Sequence, residues 1–319
     1  MTSAAIAPDA ATMEAVCCYY CGESDCTDLV MAQDDLTGKP GNFRFVTCNG
    51  CGLAYQTPRI RIEGIPEWYD GEYISHRKKT NWGPLTWFYN RAMDKHDRDK
   101  DRLVSRFIKL GPQSRVLDVG CGAGTFLARI ATRYQSQVHG VDFKDLSHLP
   151  SFQKFQFHQG LFYEQDLADS SFDLVTMWHF LEHDYDPFRT LATARRIVKS
   201  DGRIVIEVPR LDSLSFRLFR ERWPGLQAPQ HTVLFTKQML LKFIERAGLE
   251  VVEYLPYGAF PSYFYLFTGV AFKFLKGKGL NLGRAIYPYF AGQIAMTPVL
   301  LFERQLNLAM QTVICRRPE

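Results

Sequence analysis

The chain is 319 residues long, 46% hydrophobic and 23% charged, with a formal net charge of +4. That composition excludes a disordered or fibrous protein, and the length suits one large domain or a core domain with an appended module. The cations are spread along the sequence, so no nucleic-acid partner is expected; the basic run His76-Arg77-Lys78-Lys79 reads as a solvated loop.

The opening stretch, MTSAAIAPDAATMEAV, has neither a basic n-region nor an apolar h-region. Residues 1–15 are therefore read as a disordered leader, with no signal peptide and a cytoplasmic location. Eight cysteines in that compartment are expected to be reduced or metal-bound.

Four of them form two C-x-x-C-G units, Cys18-Tyr-Tyr-Cys21-Gly22 and Cys48-Asn-Gly-Cys51-Gly52. The spacing lets two thiolates reach one ion from a tight turn, and the glycine lets the backbone curl beneath it. Cys18, Cys21, Cys48 and Cys51 predict a closed, structural Zn2+ site in a ribbon-like module over residues 16–60. Free thiols or a redox pair are the alternatives. A module so small builds little core, so the metal is expected to supply its folding energy and to leave it a lid or docking role. Residues 61–111 follow as a helical linker or lid.

From residue 112 onward short apolar strands alternate with helical stretches, the pattern of a parallel sheet covered by helices. Strands are expected at SRVLDV, QVHGVD, FQFHQ, FDLVTMW and GRIVIEV, and helices at AGTFLARIATRY, PFRTLATARRIV and TKQMLLKFIERAG. EVVEYL and MQTVICRR supply two further strands. The fold class is α/β: a doubly wound, Rossmann-like sheet that binds its ligand beyond the carboxyl ends of the strands.

The segment Val116 to Phe126, VLDVGCGAGTF, identifies the kind of ligand. A dinucleotide loop ends its G-x-G-x-x-G in glycine, whereas Thr125 stands at that position here. Asp118 at the strand end repels a pyrophosphate and attracts an ammonium or sulfonium. A nucleoside carrying cationic groups, such as S-adenosylmethionine, meets both conditions.

With Asp142 closing the next strand, the sequence resembles the class I S-adenosylmethionine-dependent methyltransferases over roughly residues 110–255. The cysteine pairs add a likeness to bacterial zinc-ribbon-bearing methyltransferases of polysaccharide, sugar and natural-product biosynthesis. The resemblance implies that Asp142 accepts from both ribose hydroxyls, with Phe143 beside it. It places Gly120, Cys121, Gly122 and Gly124 under the methionine and ribose, and Gly160 and Leu161 at the adenine. Asp118 joins the cofactor side, and Tyr73 in WYDGEY is laid over the cofactor; Trp178 reads equally as a cofactor or substrate contact or as core, and His179 contacts the cofactor or orients its loop.

Methyl transfer requires alignment and, for a hydroxyl or carbon acid, a base. His183 in WHFLEH and His231 in PQHTVLF are the candidates, because histidine titrates near working pH. Each also has a purely structural reading. Glu182 is expected to orient the loop or to cap the helix near Pro187. Arg195, Arg196, Arg217, Arg220 and Arg222 are either a phosphate-binding set or solvated helix faces.

Residues 256–305 form an aromatic-rich insert that the core fold does not require. Pro261, Pro288, Pro298 and Gln293 argue against a membrane span. A helical cover or homodimer interface is one reading. The other is an interfacial hairpin at the inner membrane surface that admits a lipid-linked substrate, with Lys273, Lys276 and Lys278 at the headgroups. The expected activity is methyl transfer to oxygen or carbon of a small-molecule intermediate (sugar, polysaccharide precursor, lipid or natural product). A membrane-surface enzyme for an isoprenoid or fatty acceptor, and a non-catalytic binding protein, are its rivals.

Overall fold

A computed structural model describes residues 12–69 and 85–318; Tyr73 and the basic run 76–79 lie outside the described residues. The amino-terminal part contains β1 (Met13–Glu14), β2 (Cys26–Ala32), β3 (Phe43–Cys48), β4 (Ala54–Gln56) and β5 (Arg59–Ile60). β1 pairs with β5, so residues 13 and 14, assigned above to a disordered leader, are strand instead. β2, β3 and β4 form an antiparallel sheet whose fourth strand comes from far downstream: Val233 and Leu234 pair with Tyr55 and Ala54. The ribbon is therefore welded to the main domain. Its Val46, Leu53 and Tyr55 share one buried cluster with Val175, Met177 and Phe235 of that domain. A hydrophobic core thus supports a module that its own length leaves short of one.

The main domain begins with α1 (Leu85–Val104), β6 (Arg115–Val119), α2 (Thr125–Tyr134), β7 (Gln137–Asp142) and β8 (Gln156–Gln159). It continues through β9 (Phe172–Trp178), α3 (Pro187–Ile197), β10 (Val198–Pro209), α4 (Leu214–Phe219), β11 (Val233–Leu234), α5 (Lys237–Arg246) and β12 (Glu250–Leu255). α6 (Ser262–Leu275), α7 (Leu282–Leu300), α8 (Glu303–Leu306) and β13 (Met310–Arg316) complete it. Seven strands lie in the order β8-β7-β6-β9-β10-β13-β12. The first five run parallel, and β13 enters antiparallel between β10 and β12. The reversal of direction around β6 puts a topological switch point at the carboxyl ends of β6 and β9, where such sheets bind ligands.

Local chemistry explains the helix starts. Thr236 caps α5 by accepting the Met239 N–H, and Asp186, followed by Pro187 at the first turn, caps α3 by accepting the Arg189 N–H. The cap of α3 is thus Asp186 and not Glu182, which is buried in the turn before it.

The insert folds as the α6–α7 hairpin, and α7 contains Pro288 and Pro298. Its loop is tied to the ribbon where Leu280 N–H donates to the Leu36 carbonyl at 3.0 Å. No helix among the described residues is long and apolar enough to cross a membrane. Even so, the hairpin and the turn after it leave Phe274, Ile294 and Leu301 more than 70% exposed.

Candidate active site

The crevice starts at the loop between β6 and α2. Gly120, Gly122 and Gly124 all adopt positive φ, of 70°, 51° and 68°. A Cβ at Gly120 lies 2.6 Å from the Phe180 ring, and one at Gly124 lies 2.5 Å from that of Phe155. Only glycine fits these two positions. Asp142 holds the loop from beside: its Oδ2 accepts Gly122 N–H at 2.9 Å and its Oδ1 accepts Lys144 N–H at 3.0 Å. The turn after β8 is tied to the same strand end, where Gly160 N–H donates to the Asp142 carbonyl at 2.9 Å.

Asp118 is buried at the end of β6 and accepts the Thr176 hydroxyl at 2.6 Å. Burial pushes its carboxyl up to about 7, against the pull of Lys100 and Thr176; the charges of Asp97 and Asp142 act in the same upward direction. Three buried carboxyls thus face two ammonium groups, Lys100 and Lys144, an arrangement that favours a cationic ligand over a diphosphate. Lys100 also lies 5.3 Å from the Trp178 ring centroid, and Phe126 packs edge-on against Trp178 at 5.6 Å. Trp178 is thus buried in the core, one of the two readings its position allowed.

Beyond β9 the chain turns through His179, whose φ of 53° is left-handed. That conformation costs a non-glycine residue roughly 1–2 kcal/mol and aims the ring between two acids. Nδ1 lies 3.4 Å from Glu182 Oε1, and Nε2 lies 3.3 Å from Glu207 Oε1. Burial draws His179 down, but the two carboxylates outweigh it and hold the imidazolium up to about 9. Burial pushes Glu207 up, but His179 and the Ala259 N–H outweigh it and hold Glu207 down to about 2. The Ala259 and Phe260 N–H groups donate to Glu207 at 2.6 and 3.0 Å, so this acid also anchors the chain entering α6.

His183 and His231 meet edge to face with ring centroids 4.4 Å apart. Nδ1 of His183 is 3.1 Å from the Gln230 carbonyl, and Nδ1 of His231 is 2.8 Å from that of Gly225. A carbonyl only accepts, so each Nδ1 carries the hydrogen and each Nε2 keeps a lone pair. Burial lowers both imidazoles below their ordinary value and keeps them neutral. The two rings and Glu182 bring three acceptor atoms within 4.8 Å of one another. Neither carboxylate oxygen of Glu182 takes a hydrogen bond among the described residues. Of the three, Glu182 already faces the His179 imidazolium at 3.4 Å, which leaves the two imidazole Nε2 atoms as the proton-accepting pair.

Tyr69 joins the two halves of the crevice. Its hydroxyl is 2.8 Å from His183 Nδ1, its ring packs on Phe143 at 5.0 Å, and its carbonyl accepts from Lys144 Nζ at 3.0 Å. Sequence reasoning singled out Tyr73 and missed Tyr69, although WYDGEY contains both. It also missed Glu207, whose signal is an acid at the buried end of an otherwise apolar strand, and Lys100. Of the arginines read as either a phosphate-binding set or solvated helix faces, Arg195, Arg196, Arg217 and Arg220 are exposed, and three of the five make polar contacts to their own chain. Arg195 donates to the Gly248 carbonyl, Arg196 to that of Leu167, and Arg222 pairs with Asp35 at 2.6 Å.

The four cysteines of the ribbon converge. Cys18 Sγ lies 3.4 Å from Cys51 Sγ, Cys21 Sγ lies 3.4 Å from Cys48 Sγ, and all four fall within 4.8 Å of one another. Gly22 and Gly52 turn at φ of 76° and 82° and donate back to the carbonyls of Cys18 and Cys48. Thiolates about 2.3 Å from a tetrahedral zinc stand at mutual distances of this order, so the donor set and its spacing fit that ion.

A sheet of this order, with a left-handed glycine loop after β6 and acids closing β6 and β7, defines a class I S-adenosylmethionine-dependent methyltransferase fold. The chain belongs to the methyltransferase-domain family, whose model matches residues 89–254, just over half of it. Over 103 residues it is 34% identical to the ubiquinone biosynthesis O-methyltransferase of Neisseria meningitidis, covering 28% of this chain and 42% of that protein. Over 203 residues it is 26% identical to the demethylmenaquinone methyltransferase of Alkalihalophilus pseudofirmus, covering 54% and 82%. The chain spans less than half the length of several curated relatives it matches. Among solved structures it is similar to geranyl diphosphate C-methyltransferase from Streptomyces coelicolor, with 12% identity, 68% and 77% of the two chains covered, and a TM-score of 0.47.

Proposed function

We propose that the protein moves a methyl group from S-adenosylmethionine to oxygen or carbon of a small-molecule biosynthetic intermediate. One observation carries this reading: an unbroken contact path runs from the glycine loop and Asp142 through Phe143 and Tyr69 to His183 and His231. The nucleoside clamp and a proton acceptor therefore share one crevice. S-adenosylmethionine supplies an activated methyl and departs as the neutral thioether. The chain's own residues do the rest. Asp142 and the glycine loop hold the nucleoside, and the carboxyls of Asp97 and Asp118 favour its cationic end. His183, held through Nδ1, takes the acceptor's proton at Nε2, and His231 shares it. Zinc on Cys18, Cys21, Cys48 and Cys51 keeps the ribbon folded and stays outside the chemistry.

His183→Asn and His231→Asn are each expected to lower kcat by about 10²–10⁴, the usual range for a positioned base, and to leave the Kd for S-adenosylhomocysteine within about twofold. Calorimetry with the demethylated cofactor and turnover with any accepted substrate separate the two effects. Unchanged turnover in both variants removes the base assignment. Turnover that is abolished by chelation and restored by a divalent ion, with the ribbon zinc retained throughout, assigns the three acceptors to a cation. A chain that binds the cofactor and turns over nothing is a binding protein.

The pH profile follows from burial. A neutral imidazole accepts the proton, and burial holds His183 below its ordinary value of 6.5. Neutral His183 therefore persists below that value, and kcat is expected to stay flat above it and to fall only at more acid pH. An acid limb above about pH 7 places the proton acceptor elsewhere.

A further inference from the structure

A cleft of about 700 Å³ separates α1 from the α6–α7 hairpin. One wall is a single face of α1, where Arg91, Lys95, Arg98 and Arg102 recur at helical spacing; Arg106 from the turn after it and Arg304 from beyond the hairpin add two further cations. Two carboxylates, Asp99 and Glu303, line the same space among the described residues, and Glu303 already accepts the Ser262 N–H. Lys95 and Arg102 pair with Asp99, Arg98 with Asp94 and Arg106 with Glu253, so Arg91 and Arg304 are the cations of this space with no ion pair among the described residues. Arg91 and Arg304 stack on the rings of Trp87 and Tyr257, at 5.5 and 5.1 Å. Guanidinium groups held flat on a ring keep their N–H edges for an anion.

The facing wall is apolar, with Tyr263, Tyr289 and Leu300 along it. The floor is formed in part by His96 and Phe260, and the Phe260 ring lies 5.4 Å from that of His96 and 4.8 Å from that of His179. The cleft thus ends one ring away from the row of histidines and acids. A small dissolved anion leaves the apolar wall unused, and a neutral apolar acceptor leaves the cations unused. Only an amphiphile uses both, and a charged cleft with low-dielectric walls concentrates such a ligand.

We propose that this cleft receives the methyl acceptor, and that the acceptor is a single lipid-like molecule bearing a phosphate or diphosphate. The anion lies on the Arg91, Arg102 and Arg304 side and the chain runs along Tyr263 and Tyr289 toward His179. That the bound molecule is methylated rests on the methyltransferase reading above; that it binds does not.

The test uses the full chain saturated with S-adenosylhomocysteine and titrated with farnesyl diphosphate, inorganic diphosphate, farnesol and anionic phospholipid vesicles. Farnesyl diphosphate is expected to bind at least about tenfold more tightly than inorganic diphosphate or farnesol. The double variant R102E/R304E is expected to lose about tenfold or more of that affinity while binding S-adenosylhomocysteine unchanged, which shows that it is folded. Both residues stand clear of the glycine loop and the histidines. Equal binding of farnesol and its diphosphate, or full affinity in the double variant, overturns the proposal. So does vesicle binding without binding of the soluble amphiphile, which assigns the face to a bilayer. Failure of S-adenosylhomocysteine to bind the unaltered chain overturns the methyltransferase reading alone.

Discussion

Asp142→Ala is expected to weaken S-adenosylhomocysteine binding by at least about a hundredfold and to abolish turnover with it. Asp142 is buried, and its two oxygens accept the Gly122 and Lys144 N–H groups at 2.9 and 3.0 Å. Hydrogen bonds to a charged acceptor are each worth about 1.5–3 kcal/mol, and every 1.4 kcal/mol is about tenfold in affinity. Alanine removes the support of the left-handed Gly122 turn and the acceptor that the resemblance assigns to the ribose hydroxyls. Asp142→Asn keeps one acceptor oxygen and is expected to fall between the two. Calorimetry checks the series. An affinity within about threefold of the unaltered protein removes Asp142 from the cofactor site, and the methyltransferase reading with it.

Cys48→Ser is expected to take the chain from about one zinc to none and to lower its melting temperature by about 10 °C or more, since structural zinc contributes on the order of 10 kcal/mol to small modules. Cys48 is buried at the end of β3, with Sγ 3.4 Å from that of Cys21. β3 pairs with β4, and β4 pairs through Tyr55 with Val233, two residues beyond His231. Loosening the ribbon therefore loosens the strand that positions His231, and turnover falls although no ligand cysteine touches the crevice. Cys17→Ser serves as the control, since Cys17 lies outside the cluster of four thiols. Metal analysis and thermal melts read both variants. A Cys48→Ser chain that keeps its zinc and its melting temperature excludes this ligand set.

The two expectations share one feature of the architecture: the site is assembled at joints between segments distant in sequence. Tyr69 leaves the ribbon side to reach His183 across 114 positions, and Glu207 holds both His179 and the entrance to α6. His183 is met there by Tyr69 and by Gln230 and His231, from two segments distant in sequence, and burial keeps its imidazole neutral.

Much of this was legible in the amino-acid order because it depends on local rules. Positive φ at three close positions demands glycine, paired thiolates need a two-residue spacing, and alternating apolar runs declare strands and helices. Those rules singled out the glycine loop and the four cysteines, elementary electrostatics added Asp118, and the family resemblance added Asp142. Tertiary structure decided what depends on distant partners. It chose Tyr69 as the residue that meets His183, paired His183 with His231, and set His179 between Glu182 and Glu207. It turned Trp178 into core and placed Val233–Leu234 in the ribbon's sheet. Contacts of this kind arise only where strand ends from separate segments converge, and neither periodicity nor spacing carries the strand order that brings them together.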